Sequence, residues 1–271
     1  MQADLQQIAA KLRGLALEAI FAGGSGHPGG SLSLGEIMAV LYFEAANIDA
    51  NDPKNPKRDR VVLSKGHACP ILYAALCLKG FITKEQLLSL RHTDSFLQGH
   101  PDMKGTPGVD MSTGSLGQGI SAACGIAMGA KLKKEDFHVY AILGDGELDE
   151  GQVWEALMFA AHYKLDNLTI IVDHNGLQID GPNSEVMDLS NLKARFDAFG
   201  LNTIEIDGNN LDEVRQSLAL AREVKGKPTL ILANTVKGKG VSFMENQVGW
   251  HGKAPSKEDL AKALAELGVE E

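Results

Sequence analysis

Two rhythms of apolar residues run along this chain. VYAIL (139–143) and LTIIV (168–172) are short unbroken apolar runs, the pattern of strands buried on both faces of a parallel sheet. Between them Val153, Trp154, Leu157, Met158, Ala160 and Ala161 recur at helical spacing, so residues 138–180 predict a βαβ unit. Helical spacing also marks 4–22, where Leu5, Ile8, Ala9, Leu12, Leu15 and Ile20 form a stripe closed by Gly23-Gly24. LGEIMAVLYFEAA predicts another helix, with Ser33 as its N-cap and Glu36 completing a capping box. Further helices are expected over 71–79, 84–91, 115–134, near 191–199, over 211–223, and over 257–267 behind Ser256 and Asp259. VVLSKGHACP (61–70) predicts a strand entering a Gly-His loop, and 202–207 and 228–234 predict two more strands. SGHPGGSLS (25–33), the long segment 93–114 and 176–190 are expected to be loops. The alternation implies an α/β fold, a parallel β-sheet flanked by helices. With no repeat, low-complexity tract or linker, residues 1–271 are expected to form one domain.

A parallel crossover returns both strand ends to the same edge of the sheet, where open α/β sheets bind ligands. Asp145 in GDG and Asn175 in DHNG should therefore meet there. A carboxylate, an amide oxygen and a backbone carbonyl would make three hard oxygen donors, a set that suits Mg²⁺ beside phosphate oxygens. Glycines on both sides of Asp145 let backbone N–H groups approach a phosphate. Gly, Asp and Asn are also ordinary turn residues, so the motif alone leaves a bland reading open.

Composition narrows the function. A net charge of −9 disfavours nucleic acid as a partner, since phosphate backbones select basic surfaces. Cys69, Cys77 and Cys124 have no metal-ligand spacing and are expected to be reduced core thiols. The opening residues read as an amphipathic helix rather than a signal peptide, and no run of about 18 apolar residues stands ready to span a membrane. A cytoplasmic location is expected.

Four histidines lie in glycine- or proline-flanked loops: His27, His67, His100 and His251. One such histidine is usually a solvated side chain. Four together suggest imidazoles held at set angles to bond a polyhydroxylated substrate and move protons near neutral pH. Their spacing is no zinc signature. Thr113–Gly117 opens a helix whose N-terminus favours an anion. Glycines 117, 125 and 129 would let that helix pack closely against another backbone.

GDG followed by Asn at this distance resembles the thiamine diphosphate signature. SGHPGGSLS, LSKGHACPILYAAL, QGHPD, STGSLGQGI, GDGELDEGQVWEA and WHG, in that order from about residue 10 to 255, resemble the N-terminal diphosphate-binding region of transketolases. The resemblance implies a thiamine diphosphate-binding fold. It implies that Asp145, Asn175 and the Leu177 carbonyl ligate Mg²⁺, or Ca²⁺ or Mn²⁺ in its place. It also implies that Gly146 meets the diphosphate through its amide, as Asn175, His67 and His251 do through their side chains. Gly114, Ser115 and Leu116 would face the cofactor rings. His27, His100 and His251 would bind the donor ketose and help proton transfer, and Glu150 would stand at a subunit contact.

Transketolases of full length carry about twice this chain or more, including a pyrimidine-binding domain with an activating Glu. The resemblance therefore implies the N-terminal subunit of a split transketolase, paired with a C-terminal subunit in an α2β2 heterotetramer and acting on sugar phosphates. Lys65 stands where long transketolases often have Asn, and 20–24 (IFAGG) lacks their Lys-Ala-Asn lead-in. The alternatives are a split transketolase for a branched or sulfonated ketose and another split thiamine enzyme. A regulatory α/β nucleotide-binding module is the non-enzyme alternative.

Overall fold

A computed structural model describes residues 4–269. Five parallel strands make the central sheet: β1 (Arg60–Leu63), β2 (Val139–Gly144), β3 (Leu168–His174), β6 (Asn202–Asp207) and β7 (Thr229–Asn234), in the order β1-β2-β3-β7-β6. Two short strands, β4 (Leu177–Gln178) and β5 (Gly181–Pro182), pair as a separate antiparallel hairpin. The helices are α1 (Leu5–Ala22), α2 (Pro28–Leu32), α3 (Gly35–Val40), α4 (Cys69–Lys79), α5 (Lys84–Leu88), α6 (Gln118–Lys133), α7 (Gly151–His162), α8 (Asn183–Val186), α9 (Leu192–Ala198), α10 (Leu211–Glu223) and α11 (Lys257–Leu267).

The unbroken apolar strands serve two cores at once. In β2, Tyr140 and Ile142 join α1, α3, α4 and α10 on one face, while Val139, Ala141 and Leu143 join α6, α7 and α9 on the other. Alternation of side chains along a strand makes both assignments from one run of sequence. A third cluster, with Leu17, Leu32, Val241 and Leu260, docks α11 onto α1 and α2. Among the described residues no helix is long and apolar enough to cross a membrane.

Three expectations need correction. Residues 25–33 are not all loop, because α2 forms inside them. Pro28 sits at its first position, where a fixed φ favours the helix and the missing N–H costs nothing. Ser31 ties back to the His27 carbonyl at 2.7 Å, and all five residues of α2 are buried. Glycine is needed there for closeness: a Cβ on Gly29 would lie 3.0 Å from the Trp250 carbonyl and 3.1 Å from the Lys237 side chain.

The Ser33–Glu36 capping box does not exist. Leu34 occupies the cap of α3 without a side-chain bond. Ser33 instead lies 2.8 Å from Asp173, and Glu36 receives the Arg13 guanidinium through both oxygens, at 2.8 and 2.5 Å. A buried ion pair and a buried hydroxyl–carboxylate bond outweigh the local cap. The expected loop 176–190 holds the β4–β5 hairpin and α8, too short for a periodic signal.

Candidate functional site

The ladder between β2 and β3 pairs Gly144 with Asp173, which brings the residues just past both strand ends level with each other. Asp145 accepts the Gly146 N–H at 2.9 Å and, across the strand tips, the Gly176 N–H at 2.6 Å. It is 5% exposed, and burial, with Asp173 nearby, raises its pKa above the ordinary carboxylate value. Such a group calls for a cation. Asn175 donates to Asp173 at 2.9 Å and accepts the Leu177 N–H at 3.2 Å, which orients its amide. The residues expected to ligate metal are thus brought together at one turn.

Beside them lies a cavity of about 190 Å³. Lys65, His67, Leu116, Asp145, Gly146, Asn175, Leu177, Lys237 and His251 all line it. A Cβ on Gly146 would come within 2.8 Å of Gln178, so only glycine leaves this wall as it is. A larger hollow of about 380 Å³ lies against Asp145 and Gly176, lined by His174, Asn183 and residues 187–193, and takes in no other expected site residue. The smaller cavity is where the chemistry gathers.

Its positive charge comes from two buried lysines. Lys65 bonds Asp173 at 2.5 Å and the Gly30 carbonyl at 2.7 Å. Burial alone would raise the Asp173 carboxyl, but the Lys65 charge and bonds from Lys65, Thr235 and Ser33 hold it below its usual range. Lys237 donates to the Leu177 carbonyl at 2.8 Å and meets His251 Nδ1 at 2.9 Å. Burial pushes the Lys237 ammonium down to about 8. Because the ammonium only donates, His251 Nδ1 accepts and its proton sits on Nε2.

Three imidazoles form a triangle, two of them, His67 and His251, in the cavity wall. Ring centres of His27 and His67 lie 5.3 Å apart, and each lies 5.4 Å from His251. Burial is the main cause that lowers all three, His27 and His251 to about 4 and His67 well below its ordinary value. They are neutral at pH 7. Among the described residues, His27 Nδ1 is buried without a hydrogen-bond partner.

His100 stands apart from the triangle, against the 113–117 segment rather than in the cavity wall. A Cβ on Gly114, whose φ is +154°, would lie 3.2 Å from the His100 ring. The Arg91 charge, and that of His100 when it is protonated, still help to lower His27. Gly114 and Ser115 lie outside the cavity lining, on the turn that leads into α6, and Glu150 caps α7 on the surface.

Sequence reasoning missed Lys237, and it met Lys65 only as a departure from a pattern. It also missed Asp173, which joins Lys65, Ser33, Thr235 and Asn175, and Tyr73, whose hydroxyl reaches the Gln98 and His100 carbonyls at 2.9 and 3.1 Å. The available signal was a lysine in a glycine turn, VKGKG, whose Gly238 and Gly240 have φ of +77° and +90°.

An aspartate, an amide oxygen and a carbonyl beside two lysines and a glycine amide fit a metal-held diphosphate. A family model, transketolase, thiamine diphosphate binding domain, matches residues 5–271. The 6-deoxy-6-sulfo-D-fructose transketolase subunit SqwG of Clostridium sp. (strain MSTE9) is 47% identical over 99% of this chain and 98% of its own length. A subunit of the apulose-4-phosphate transketolase of Phocaeicola vulgatus is 39% identical over 93% of this chain and 89% of its own. Human transketolase is 44% identical over 98% of this chain, which spans only 42% of that protein. The structure of transketolase from Leishmania mexicana superposes with a TM-score of 0.94 at 34% identity, over all of this chain and 42% of that one.

Proposed function

Because this chain belongs to the transketolase family, we infer that it is the thiamine diphosphate-binding subunit of a split transketolase. With a C-terminal partner subunit it transfers a two-carbon ketol unit from a ketose to an aldose. The observation that carries the reading is the meeting of Asp145, Asn175 and the Leu177 carbonyl beside a cavity walled by Lys65, Lys237 and His251. The partner requirement is supported by the two relatives matched over most of their length, both of which are named as subunits. An α2β2 assembly and a cytoplasmic location belong to the same reading.

Asp145, Asn175 and Leu177 would hold Mg²⁺, or Ca²⁺ or Mn²⁺, through three oxygens. Lys65, Lys237, His67, His251 and the Gly146 amide would take the diphosphate, and Gly114, Ser115 and Leu116 would border the rings. When bound, thiamine diphosphate supplies the carbon nucleophile and electron sink that C–C cleavage next to a carbonyl needs. His27, His100 and His251 bind sugar hydroxyls and hold or pass protons. Neutral at pH 7, His27 and His251 can accept as well as donate. Held at Asp145, Asn175 and Leu177, the cofactor would have its reactive end fixed in position by binding energy from its far end.

A second reading is a transketolase dedicated to an unusual ketose, sulfonated or branched. It is favoured by the end-to-end match to the sulfofructose subunit, closer in identity than the match to human transketolase. The test is reconstitution with the C-terminal partner, followed by assay on a panel of ketose phosphates, sulfonated and branched ketoses. Ketol transfer should appear only in the reconstituted pair. Appreciable transfer by the lone chain would sink the split-subunit reading, and the preferred donor separates the two substrate classes.

A further inference from the structure

Glu147 forms part of the cavity wall and is 2% exposed. Its Oε1 accepts the Ser64 hydroxyl at 2.5 Å and the Gly117 N–H at 2.8 Å, and its Oε2 accepts the Gly144 N–H at 3.1 Å. These donors come from three different segments: the end of β1, the entrance of α6 and the tip of β2. Each is the immediate chain neighbour of a cavity residue, Ser64 of Lys65, Gly117 of Leu116 and Gly144 of Asp145.

Two of these segments, the end of β1 and the approach to α6, are also pressed together. A Cβ on Gly119 would lie 2.6 Å from Ser64 Cα, and one on Gly66 would lie 2.8 Å from Thr113 Oγ1. The Thr113 hydroxyl bonds the Leu63 carbonyl at 2.7 Å. The glycines allow approach, and among the described residues Glu147 alone bonds all three segments from one side chain. Gly117, with φ of +81°, has no capping side chain of its own at the start of α6, so the carboxylate takes its N–H.

We propose that Glu147 is a positioning residue: it sets the spacing between Leu116, Lys65 and the Asp145 turn to that which thiamine diphosphate needs. The proposal rests on the cofactor reading above. Glu147→Gln keeps an oxygen for Ser64 and Gly117 but turns an amide N–H against that of Gly144. Ser64→Ala leaves the carboxylate and removes one of its three donors.

The test compares the full chain and these two variants by amide hydrogen exchange without ligand and, after reconstitution with the C-terminal partner subunit, by calorimetric titration with thiamine diphosphate in excess Mg²⁺. Glu147→Gln should speed exchange at Gly144 and Gly117 at least tenfold while the Ile170 amide in β3 stays protected. Its affinity for thiamine diphosphate should fall at least tenfold, and Ser64→Ala should show a smaller loss in the same direction. Affinities within twofold of the unaltered chain in both variants, or unchanged exchange at Gly117 and Gly144, would overturn the proposal. Should Glu147→Gln not fold, Ser64→Ala decides by the same two readouts. An unaltered reconstituted pair that takes up no thiamine diphosphate under these conditions overturns the cofactor reading. The exchange comparison then judges whether Glu147 holds the three segments.

Discussion

Asp145 reaches across from β2 to the turn after β3 and accepts the Gly176 N–H at 2.6 Å. That bond closes the gap between two strand tips and presents the carboxylate beside Asn175. Asp145→Ala should weaken Mg²⁺-dependent binding of thiamine diphosphate in the assembled enzyme by at least about a hundredfold, since even residues one step behind a metal are worth roughly 10–100-fold. Titration calorimetry measures this, and unchanged affinity would place the metal elsewhere.

Acid should destabilise the protein through its histidine triangle. His27 and His251 fall from an ordinary 6.5 to about 4, so the unfolded chain takes up their protons first as pH drops. Their contribution is complete above about pH 6.5 and is lost progressively towards pH 4, so stability rises with pH across that window. Lys237 faces both rings, with Arg91 and His100 also near His27, and all oppose a further positive charge. Denaturant midpoints between pH 4 and 7 should show a shallower slope for His27→Gln than for the unaltered chain.

Arg13 and Glu36 are 4% and 3% exposed and pair through both carboxylate oxygens, with Asn209 adding a bond to Glu36 at 2.9 Å. Removing one partner strands a buried charge. Arg13→Met should cost roughly 3–5 kcal/mol in urea unfolding. The double variant Arg13→Met/Glu36→Leu should recover much of that loss, because it leaves no charge unpaired.

Tyr73 on α4 reaches the carbonyls on either side of Gly99 and so fixes the loop that carries His100. Tyr73→Phe should lower stability by about 1 kcal/mol, the usual net worth of a hydrogen bond. In the reconstituted enzyme, kcat/KM for the donor ketose should fall while thiamine diphosphate affinity holds. Equal losses in both would mean that the whole site had moved.

Two glycines of one helix should respond in opposite ways. Gly119→Ala drives a methyl to 2.6 Å from backbone at Ser64 and should cost about 1–3 kcal/mol, the range for an overpacked core. Gly125 has nothing within 4 Å of its added Cβ, so Gly125→Ala should stabilise the isolated chain by up to about 1 kcal/mol through helix propensity alone. If α6 packs on another subunit, size-exclusion or ultracentrifugation should show weaker assembly for Gly125→Ala despite its higher melting point.

The βαβ unit was legible because strands buried on both faces leave unbroken apolar runs, and a parallel crossing has one handed solution. Asp145 and Asn175 could be paired on that ground alone. α2 was not legible: its Gly29 serves contacts with Trp250 and Lys237, more than 200 positions downstream, and local propensity reports nothing of them. Ser33 and Glu36 misled for a related reason. Spacing alone made them a cap, whereas Asp173 and Arg13 claimed them through bonds that span 140 and 23 positions. Lys237 and Glu147 were likewise ordinary charged residues until folding buried them beside the turn.

The level ladder between β2 and β3 carries an evolutionary consequence. Height at the sheet edge is fixed by strand pairing, not by the length of the crossing between strands. Descendants of this chain are therefore free to gain or lose residues around the exposed positions 134–136 and 163–164 without disturbing the Asp145–Asn175 meeting. One residue inserted within 139–144 would swing every later side chain of that strand to the opposite layer. Drift in length should accumulate at the crossings and be purged from the strands.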